Sequence, residues 1–129
     1  MGQQQFLIDT NAAIDYLSGS LPENGQAIMD EVINAIPNAS VITKIEVLGF
    51  PTSEKASKLL SDFIDAIIVL DLNDEIVNKT IEIRKSHKIK TPDAIIAATA
   101  LVFGLILITR NTNDFKNIQN LKLINPHQL

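Results

Sequence analysis

The chain has 129 residues, of which 46% are hydrophobic and 20% are charged, and it contains no cysteine. This length suits one domain with one sizeable core, and the composition argues against disorder. Without cysteine, disulfides and thiolate metal sites are excluded, and we expect a cytoplasmic protein. We expect neither a signal peptide nor a membrane span, because no apolar stretch is long enough to cross a bilayer.

The net charge is −4, from 11 basic and 15 acidic residues. Taken alone, this balance argues against a dedicated nucleic-acid-binding surface. A cluster of four carboxylates would account for the whole acidic excess, however, and bound cations would reverse the local sign of the charge. The overall charge therefore leaves nucleic acid open as a partner.

Short apolar runs alternate with helical patterns along the chain. The predicted strands are residues 6–8, 39–42, 67–70, 105–108 and 121–124. The predicted helices are residues 11–18 and 22–36, a segment beginning near Thr43, residues 53–65, a helix capped by Asn73, and residues 94–103. This alternation implies βαβ crossovers. We therefore predict an α/β fold in one domain over residues 1–129, a three-layer α/β/α sandwich around a short, mainly parallel five-stranded sheet.

Four acidic residues stand near the predicted strand ends. Asp9 ends the first strand, and Glu46 lies four residues past the second, in the predicted first turn of the next helix. Asp93 opens the helix that leads into the fourth strand, and Asp114 follows that strand. Ligand crevices of parallel sheets lie beyond the carboxyl ends of the strands. We therefore expect all four carboxylates to reach one edge of the sheet.

Each acid also has a simpler explanation as part of a helix start. Asp9 can cap the helix that follows it, and Thr43-x-x-Glu46 fits a capping box. Thr91-Pro92-Asp93 suits the first turn of a helix, and Asn111-x-x-Asp114 can cap likewise. Taken singly, these explanations are favoured. The convergence of four acids favours a shared site instead.

Clustered carboxylates repel one another unless positive charge lies among them. Hard oxygen ligands without histidine or cysteine suit Mg²⁺ or Mn²⁺ rather than zinc. We therefore predict a site for one or two such ions, which would activate water and stabilise the leaving oxygen of a phosphodiester.

Four motifs, in this order, resemble those of PIN-domain ribonucleases of the VapC toxin type. They are Leu7-Ile8-Asp9-Thr10-Asn11, Thr43-Lys44-Ile45-Glu46, Pro92 to Ala100 (PDAIIAATA), and Thr109 to Phe115 (TRNTNDF). The resemblance covers nearly the whole chain and implies cleavage of single-stranded RNA with Mg²⁺ or Mn²⁺. It also implies a cognate antitoxin and a homodimer as partners.

The resemblance assigns roles to individual residues. Asp9, Glu46 and Asp93 match the core acidic positions of the family, and Asp114 matches a more variable fourth position. Thr10, Asn11, Thr109 and Asn111 would orient the ligands or waters. Since His87 and His127 lie outside the motifs, no side chain of the usual general-base type stands out, and the ion would supply the nucleophile by deprotonating water.

Basic residues near the acids are candidate RNA contacts. Arg84, Lys88 and Lys90 lie just before Asp93, and Arg110 follows the fourth strand. The first three can equally be a solvated helix end that suits the dipole, and Arg110 can equally be an ordinary surface residue. The apolar residues Met29, Ile33 and Ile36 either complete a core or form an exposed groove for an antitoxin helix.

Two other classes of protein compete with the nuclease. A non-catalytic PIN-fold module that binds RNA or protein is disfavoured because all three core acids are present. Receiver and haloacid-dehalogenase domains also begin with a strand that ends in Asp, but neither class fits. Receivers require a paired early acid and a phosphoacceptor Asp after the third strand, and dehalogenases require a second Asp where Asn11 stands. No glycine-rich loop follows the first strand, which disfavours a dinucleotide-binding enzyme.

Overall fold

A computed structural model of the protein describes residues 5–129. Its sheet has five strands, all parallel, in the order β3-β2-β1-β4-β5. The strands are β1 (Phe6–Ile8), β2 (Asn38–Ser40), β3 (Ile68–Leu70), β4 (Ile106–Ile108) and β5 (Leu123–Ile124). The predicted five-stranded parallel sheet is therefore confirmed. Because β1 lies at its centre, the residues that follow β1 reach both neighbouring strands.

Seven helices connect these strands within residues 5–129. They are α1 (Thr10–Leu17), α2 (Glu23–Asn34), α3 (Val41–Leu48), α4 (Glu54–Asp65), α5 (Asp74–Ser86), α6 (Thr91–Phe103) and α7 (Thr112–Phe115). Residues of α1–α4 pack on one face of the sheet, and residues of α5–α7 pack on the other. The three-layer α/β/α sandwich is confirmed.

The central strands are apolar throughout because both of their faces are covered. In β1, Leu7 belongs to the core beneath α5 and α6, whereas Ile8 belongs to the core beneath α1–α4. Leu107 and Ile108 divide in the same way in β4. All four side chains are fully buried. Alternation of side chains across a pleated strand requires this apolar run.

The second strand ends earlier than the sequence indicates. Its last residue is Ser40, whose hydroxyl accepts a hydrogen bond from the Ile42 N–H (3.1 Å) and so starts α3 at Val41. The predicted strand over residues 39–42 is wrong at its second half. As a consequence Glu46 lies in the second turn of α3, not the first, and the Thr43-x-x-Glu46 capping box is also wrong.

The apolar residues of the early helices are divided between core and surface. Met29 is fully buried, Ile33 is half-buried, and Ile36 is 56% exposed. Ile36 also has a φ of 55°, a left-handed conformation that is unusual for a β-branched residue and that ends the turn after α2. These residues complete a core at one end and leave apolar surface at the other. No helix within residues 5–129 has the length and apolar character that spanning a bilayer needs.

Candidate active site

The four predicted acids come from four different elements at the carboxyl edge of the sheet. Asp9 follows β1 and is the N-cap of α1. Glu46 lies on α3, which begins directly after β2. Asp93 is in the first turn of α6, and Asp114 is in α7, which follows β4. Since α6 leads into a parallel strand, its first turn lies at the edge where the strands end.

The Asp9 carboxylate is almost fully buried and accepts three hydrogen bonds. The Thr10 N–H donates to Oδ1 (2.8 Å), and the Thr109 hydroxyl and the Asn11 amide donate to Oδ2 (2.8 and 3.1 Å). Burial raises the pKa of Asp9, and these hydrogen bonds oppose the rise because they favour the charged form. Asp9 therefore does cap α1, and two of its three donors are side chains that lie outside the cap, Asn11 and Thr109.

Of the four predicted orienting residues, Thr10, Asn11 and Thr109 hydrogen-bond to the acids, whereas Asn111 donates its main-chain N–H to Thr109. Thr10 Oγ1 donates to Glu46 Oε1 (2.6 Å) and so ties α1 to α3. Thr109, fully buried, accepts a hydrogen bond from the Asn111 N–H (3.0 Å) while it donates to Asp9. The Asn111 side chain makes no cap hydrogen bond to α7, so the capping explanation of Asn111-x-x-Asp114 receives no support from this helix.

The charges of the other three acids affect the pKa of Asp93. Partial burial is the largest cause that raises its pKa, and the negative charges of Asp9, Asp114 and Glu46 raise it further. The four carboxylates thus form one electrostatic cluster. Across residues 5–129, however, no three Asp, Glu, His or Cys side chains stand close enough to hold one ion in their present positions.

A basic cleft adjoins the cluster. Its volume is about 480 Å³, and it is lined by Arg84, Lys88, Ile89, Lys90, Asp93 and Asp114. Lys90 is near enough to Asp93 to lower the pKa of that carboxyl, although the acids outweigh it. The helix α5 ends at Ser86, so Lys88 and Lys90 belong to the link between α5 and α6 and not to the helix end. Positive groups therefore stand directly beside negative ones.

The fourth basic candidate, Arg110, is engaged by a residue that the sequence analysis did not single out. Its Nη1 donates to both carboxylate oxygens of Asp15 (3.1 Å each), and His127 Nε2 lies 2.8 Å from Asp15 Oδ2. Asp15 is buried on α1. Its position three residues after Ala12, on the inward face of the helix, was the available signal, because a buried acid requires a partner.

Comparison with known proteins identifies the fold. The PIN domain family model matches residues 6–121. The chain belongs to the PIN-domain family. No curated protein sequence matches this PIN domain.

Solved structures show the same relationship. A toxin-antitoxin complex from Klebsiella pneumoniae contains a chain 29% identical to this PIN domain, with a TM-score of 0.75, covering 97% of this chain and all of that one. DNA-bound VapBC from Salmonella typhimurium gives 25% identity and a TM-score of 0.80, covering 96% and 99%. VapBC2 from Rickettsia felis, at 20% identity and a TM-score of 0.78 over 95% and 98%, shares the fold. The resemblance to VapC-type PIN domains is confirmed.

The raised pKa of Asp93 predicts a pH dependence of stability. A carboxyl whose pKa is higher in the folded than in the unfolded protein binds protons more tightly in the folded state, so stability falls as pH rises from about 3.8 through the folded-state pKa. In buffer with a metal chelator, we expect Asp93→Asn to flatten this fall in the free energy of unfolding, measured by urea denaturation between pH 4 and pH 8. Asp62→Asn, which alters an exposed ion pair on α4, is the control and should retain the parent slope. An equal slope in parent and Asp93→Asn would contradict the assignment.

Proposed function

We propose that this PIN domain is a metal-dependent endoribonuclease that cleaves phosphodiester bonds of single-stranded RNA and acts as the toxin of a toxin–antitoxin pair in the cytoplasm. The observation that carries the proposal is the placement of Asp9, Glu46, Asp93 and Asp114 at the carboxyl edge of the sheet, where the charges of the other three acids raise the pKa of Asp93. A shared site of four acids on this fold is what hydrolysis of a phosphodiester would need.

The donor set suits Mg²⁺ or Mn²⁺, as one ion or two. It consists of carboxylates with hydroxyl and amide groups beside them, which are the hard oxygen ligands that these ions prefer. Bringing three carboxylates onto one ion requires side chains to approach each other, and the charge of the cation favours this because the acids otherwise repel. Asp9, Glu46, Asp93 and Asp114 would hold the ions, which when bound supply charge stabilisation and an acidified water.

The chain's own residues would prepare this site before substrate arrives. Thr10, Asn11 and Thr109 hold Asp9 through their hydrogen bonds, and Thr10 also holds Glu46. A carboxylate fixed in this way loses little conformational freedom when it takes a ligand, which favours binding. Burial and three negative neighbours raise the pKa of Asp93, so a nearby cation would stabilise its charged form.

The basic cleft supports RNA as the substrate. Arg84, Lys88 and Lys90 line it together with Asp93 and Asp114, so a backbone that leaves the acidic cluster would meet three positive side chains. Such contacts position a nucleic acid without reading its sequence. These positive side chains would also offset, near the site, the repulsion of RNA by a chain whose net charge is −4.

A cognate antitoxin and a second copy of the chain are the proposed protein partners. The structural neighbours from Klebsiella and Salmonella come from toxin-antitoxin and VapBC complexes. The helices α3 and α4 and the link between them expose apolar side chains that a folded protein in water usually covers, namely Ile45, Leu48, Phe50 and Leu59. An amphipathic antitoxin segment would cover such a surface.

Removing one core acid should slow cleavage strongly. With Mg²⁺ or Mn²⁺ and single-stranded RNA, we expect Asp9→Asn and Asp93→Asn each to slow cleavage on the order of 10²-fold or more, because each removes a charge that the hydrolytic site needs. Asp62→Asn should cleave like the parent. Circular dichroism checks that the variants fold. If the folded parent binds RNA but cleaves nothing across a metal titration, the chain is the non-catalytic PIN-fold module instead.

The basic cleft predicts a salt dependence of RNA binding. For single strands, each phosphate contact contributes roughly 0.7 to the slope of log K against log salt concentration. We expect Lys88→Gln with Lys90→Gln to reduce this slope by about 1.4 in fluorescence anisotropy with chelator present. The matched control pair, Lys55→Gln with Lys58→Gln on α4, should leave the slope unchanged. A parent-like slope in the cleft variant would place the RNA elsewhere.

Toxicity and its relief test the partner. Expression of the parent should arrest growth, Asp9→Ala should not, and co-expression of the product of a neighbouring gene should relieve the arrest. We expect Leu59→Asp to arrest growth but to escape this relief, because it introduces a charge into the exposed apolar surface of α3 and α4. Ile81→Asp, on the exposed face of α5, is the control and should remain subject to relief. Relief of both variants would show that the antitoxin binds another surface.

A further inference from the structure

The residues Asp15, Arg110 and His127 form a polar cluster outside the four acids. Asp15 is 7% exposed and accepts hydrogen bonds from two directions, from Arg110 and from His127. A buried carboxylate needs such partners, since an unpaired charge in the interior is costly. The simplest explanation is that Arg110 serves only as the ion-pair partner of Asp15. The contacts of the Arg110 main chain indicate a second role near Asp9.

Arg110 is held at three points. Its guanidinium donates to Asp15, its main-chain N–H donates to Asn11 Oδ1 (2.9 Å), and its carbonyl accepts a hydrogen bond from the Asn125 amide (3.2 Å). The residue before it is Thr109, which donates to Asp9. The segment that supplies one donor to Asp9 is therefore anchored by the side chain of its neighbour.

Asn11 connects this anchor to Asp9. A side-chain amide has one oxygen, which accepts, and one nitrogen, which donates. Because the Arg110 N–H occupies Asn11 Oδ1, the nitrogen is turned to Asp9 Oδ2 (3.1 Å). The orientation of the Asn11 amide thus depends on where the Arg110 main chain lies, and the Asp15–Arg110 ion pair helps to fix that position.

The other partner of Asp15 belongs to a tail that is itself firmly seated. His127 follows Pro126, whose buried carbonyl packs so closely on α2 that a Cβ added at Gly25 would lie 1.8 Å from the Pro126 oxygen. The His127 N–H donates to Asn125 Oδ1 (2.9 Å), which closes a turn. Asp15 is therefore held from the tail side while it holds Arg110.

We infer that Asp15 is a positioning residue that acts through Arg110 on Asn11 and Thr109, and so on the Asp9 carboxylate, and that Arg110 serves this role and not contact with RNA. The inference rests on the proposed function, because Asp9 must be a metal ligand for its orientation to matter. It reassigns Arg110, since its Nη1 is already committed to Asp15 although half of its side chain faces solvent.

Two variants distinguish positioning from RNA contact. If Asp15 and Arg110 position the site, both variants weaken Mn²⁺ binding. If Arg110 contacts RNA, one variant weakens RNA binding and the other tightens it. Asp15→Asn removes the charge that holds Arg110, and Arg110→Gln removes the guanidinium but keeps the main-chain N–H. If Asp15 positions the site through Arg110, both variants should weaken Mn²⁺ binding by roughly threefold to tenfold, less than the 10- to 100-fold typical of groups that bond a metal ligand directly. The double variant should bind Mn²⁺ with the same affinity as the single variant that binds it less tightly, since both changes break the same link.

If Arg110 contacts RNA instead, the pattern differs. Arg110→Gln would then reduce the salt slope of RNA binding by roughly 0.7 and leave Mn²⁺ affinity unchanged. Asp15→Asn would release the guanidinium and tighten RNA binding. Either result would overturn the inference. Asp62→Asn and Lys58→Gln, which break an exposed ion pair on α4, are the matched controls and should change neither quantity.

A second readout does not depend on metal. The Asn11 side-chain amide should shift its NMR resonances and exchange faster with solvent in both variants, because the Arg110 main-chain N–H that donates to its oxygen is no longer anchored through Asp15. If the parent binds no Mn²⁺, the proposed function fails while this amide still reports on the link. An unchanged Asn11 amide in folded Arg110→Gln overturns the inference. That variant leaves Asp15 paired with His127, so it keeps the test decisive if Asp15→Asn does not fold.

Discussion

A carboxylate that is almost fully buried must be given hydrogen-bond donors, and the way Asp9 obtains them organises the acidic edge of the molecule. Its donors come from the first turn of α1 and from the end of β4, two elements that meet only because β1 and β4 are neighbours in the sheet. The Thr109 hydroxyl is itself fully buried and serves no other acid. The hydrogen bonding of the buried Asp9 carboxylate therefore depends on the pairing of β1 with β4.

The other acids are arranged around this fixed point with decreasing restraint. Glu46 is exposed but accepts a hydrogen bond from Thr10, which links α1 to α3 near the site. Asp93 is half-buried at the start of α6, where the helix dipole favours its charge while Asp9, Glu46 and Asp114 oppose it. Asp114 is exposed on the short helix α7. This gradient gives the edge one buried carboxylate with three donors and three carboxylates that are less buried, an arrangement suited to gathering around a cation.

Much of this could be read from the sequence because the signals were local. The apolar runs of β1 and β4, buried on both faces, and the acids placed after them follow from side-chain alternation and parallel topology. The end of β2 could not be read in this way, because Val41 and Ile42 favour a strand and only the hydroxyl cap of Ser40 turns them into the first residues of α3. The partners of Asp15 were equally hidden, since Arg110 and His127 lie 95 and 112 residues away along the chain.

The contacts that could not be predicted from the sequence are the long-range hydrogen bonds of Asp15, Arg110 and His127, which connect α1 and the C-terminal segment to the acids. His127, in the C-terminal segment, donates to Asp15, and Asp15 in turn holds the Arg110 guanidinium. The Arg110 main-chain N–H orients the Asn11 amide, which donates to Asp9. Each step is a hydrogen bond in a partly buried setting, where the loss of a partner costs more than it does in water. A site built from repelling carboxylates needs restraint from outside itself, because the acids supply none to one another. In this PIN domain the C-terminal segment and the inward acid of α1 are placed to supply it.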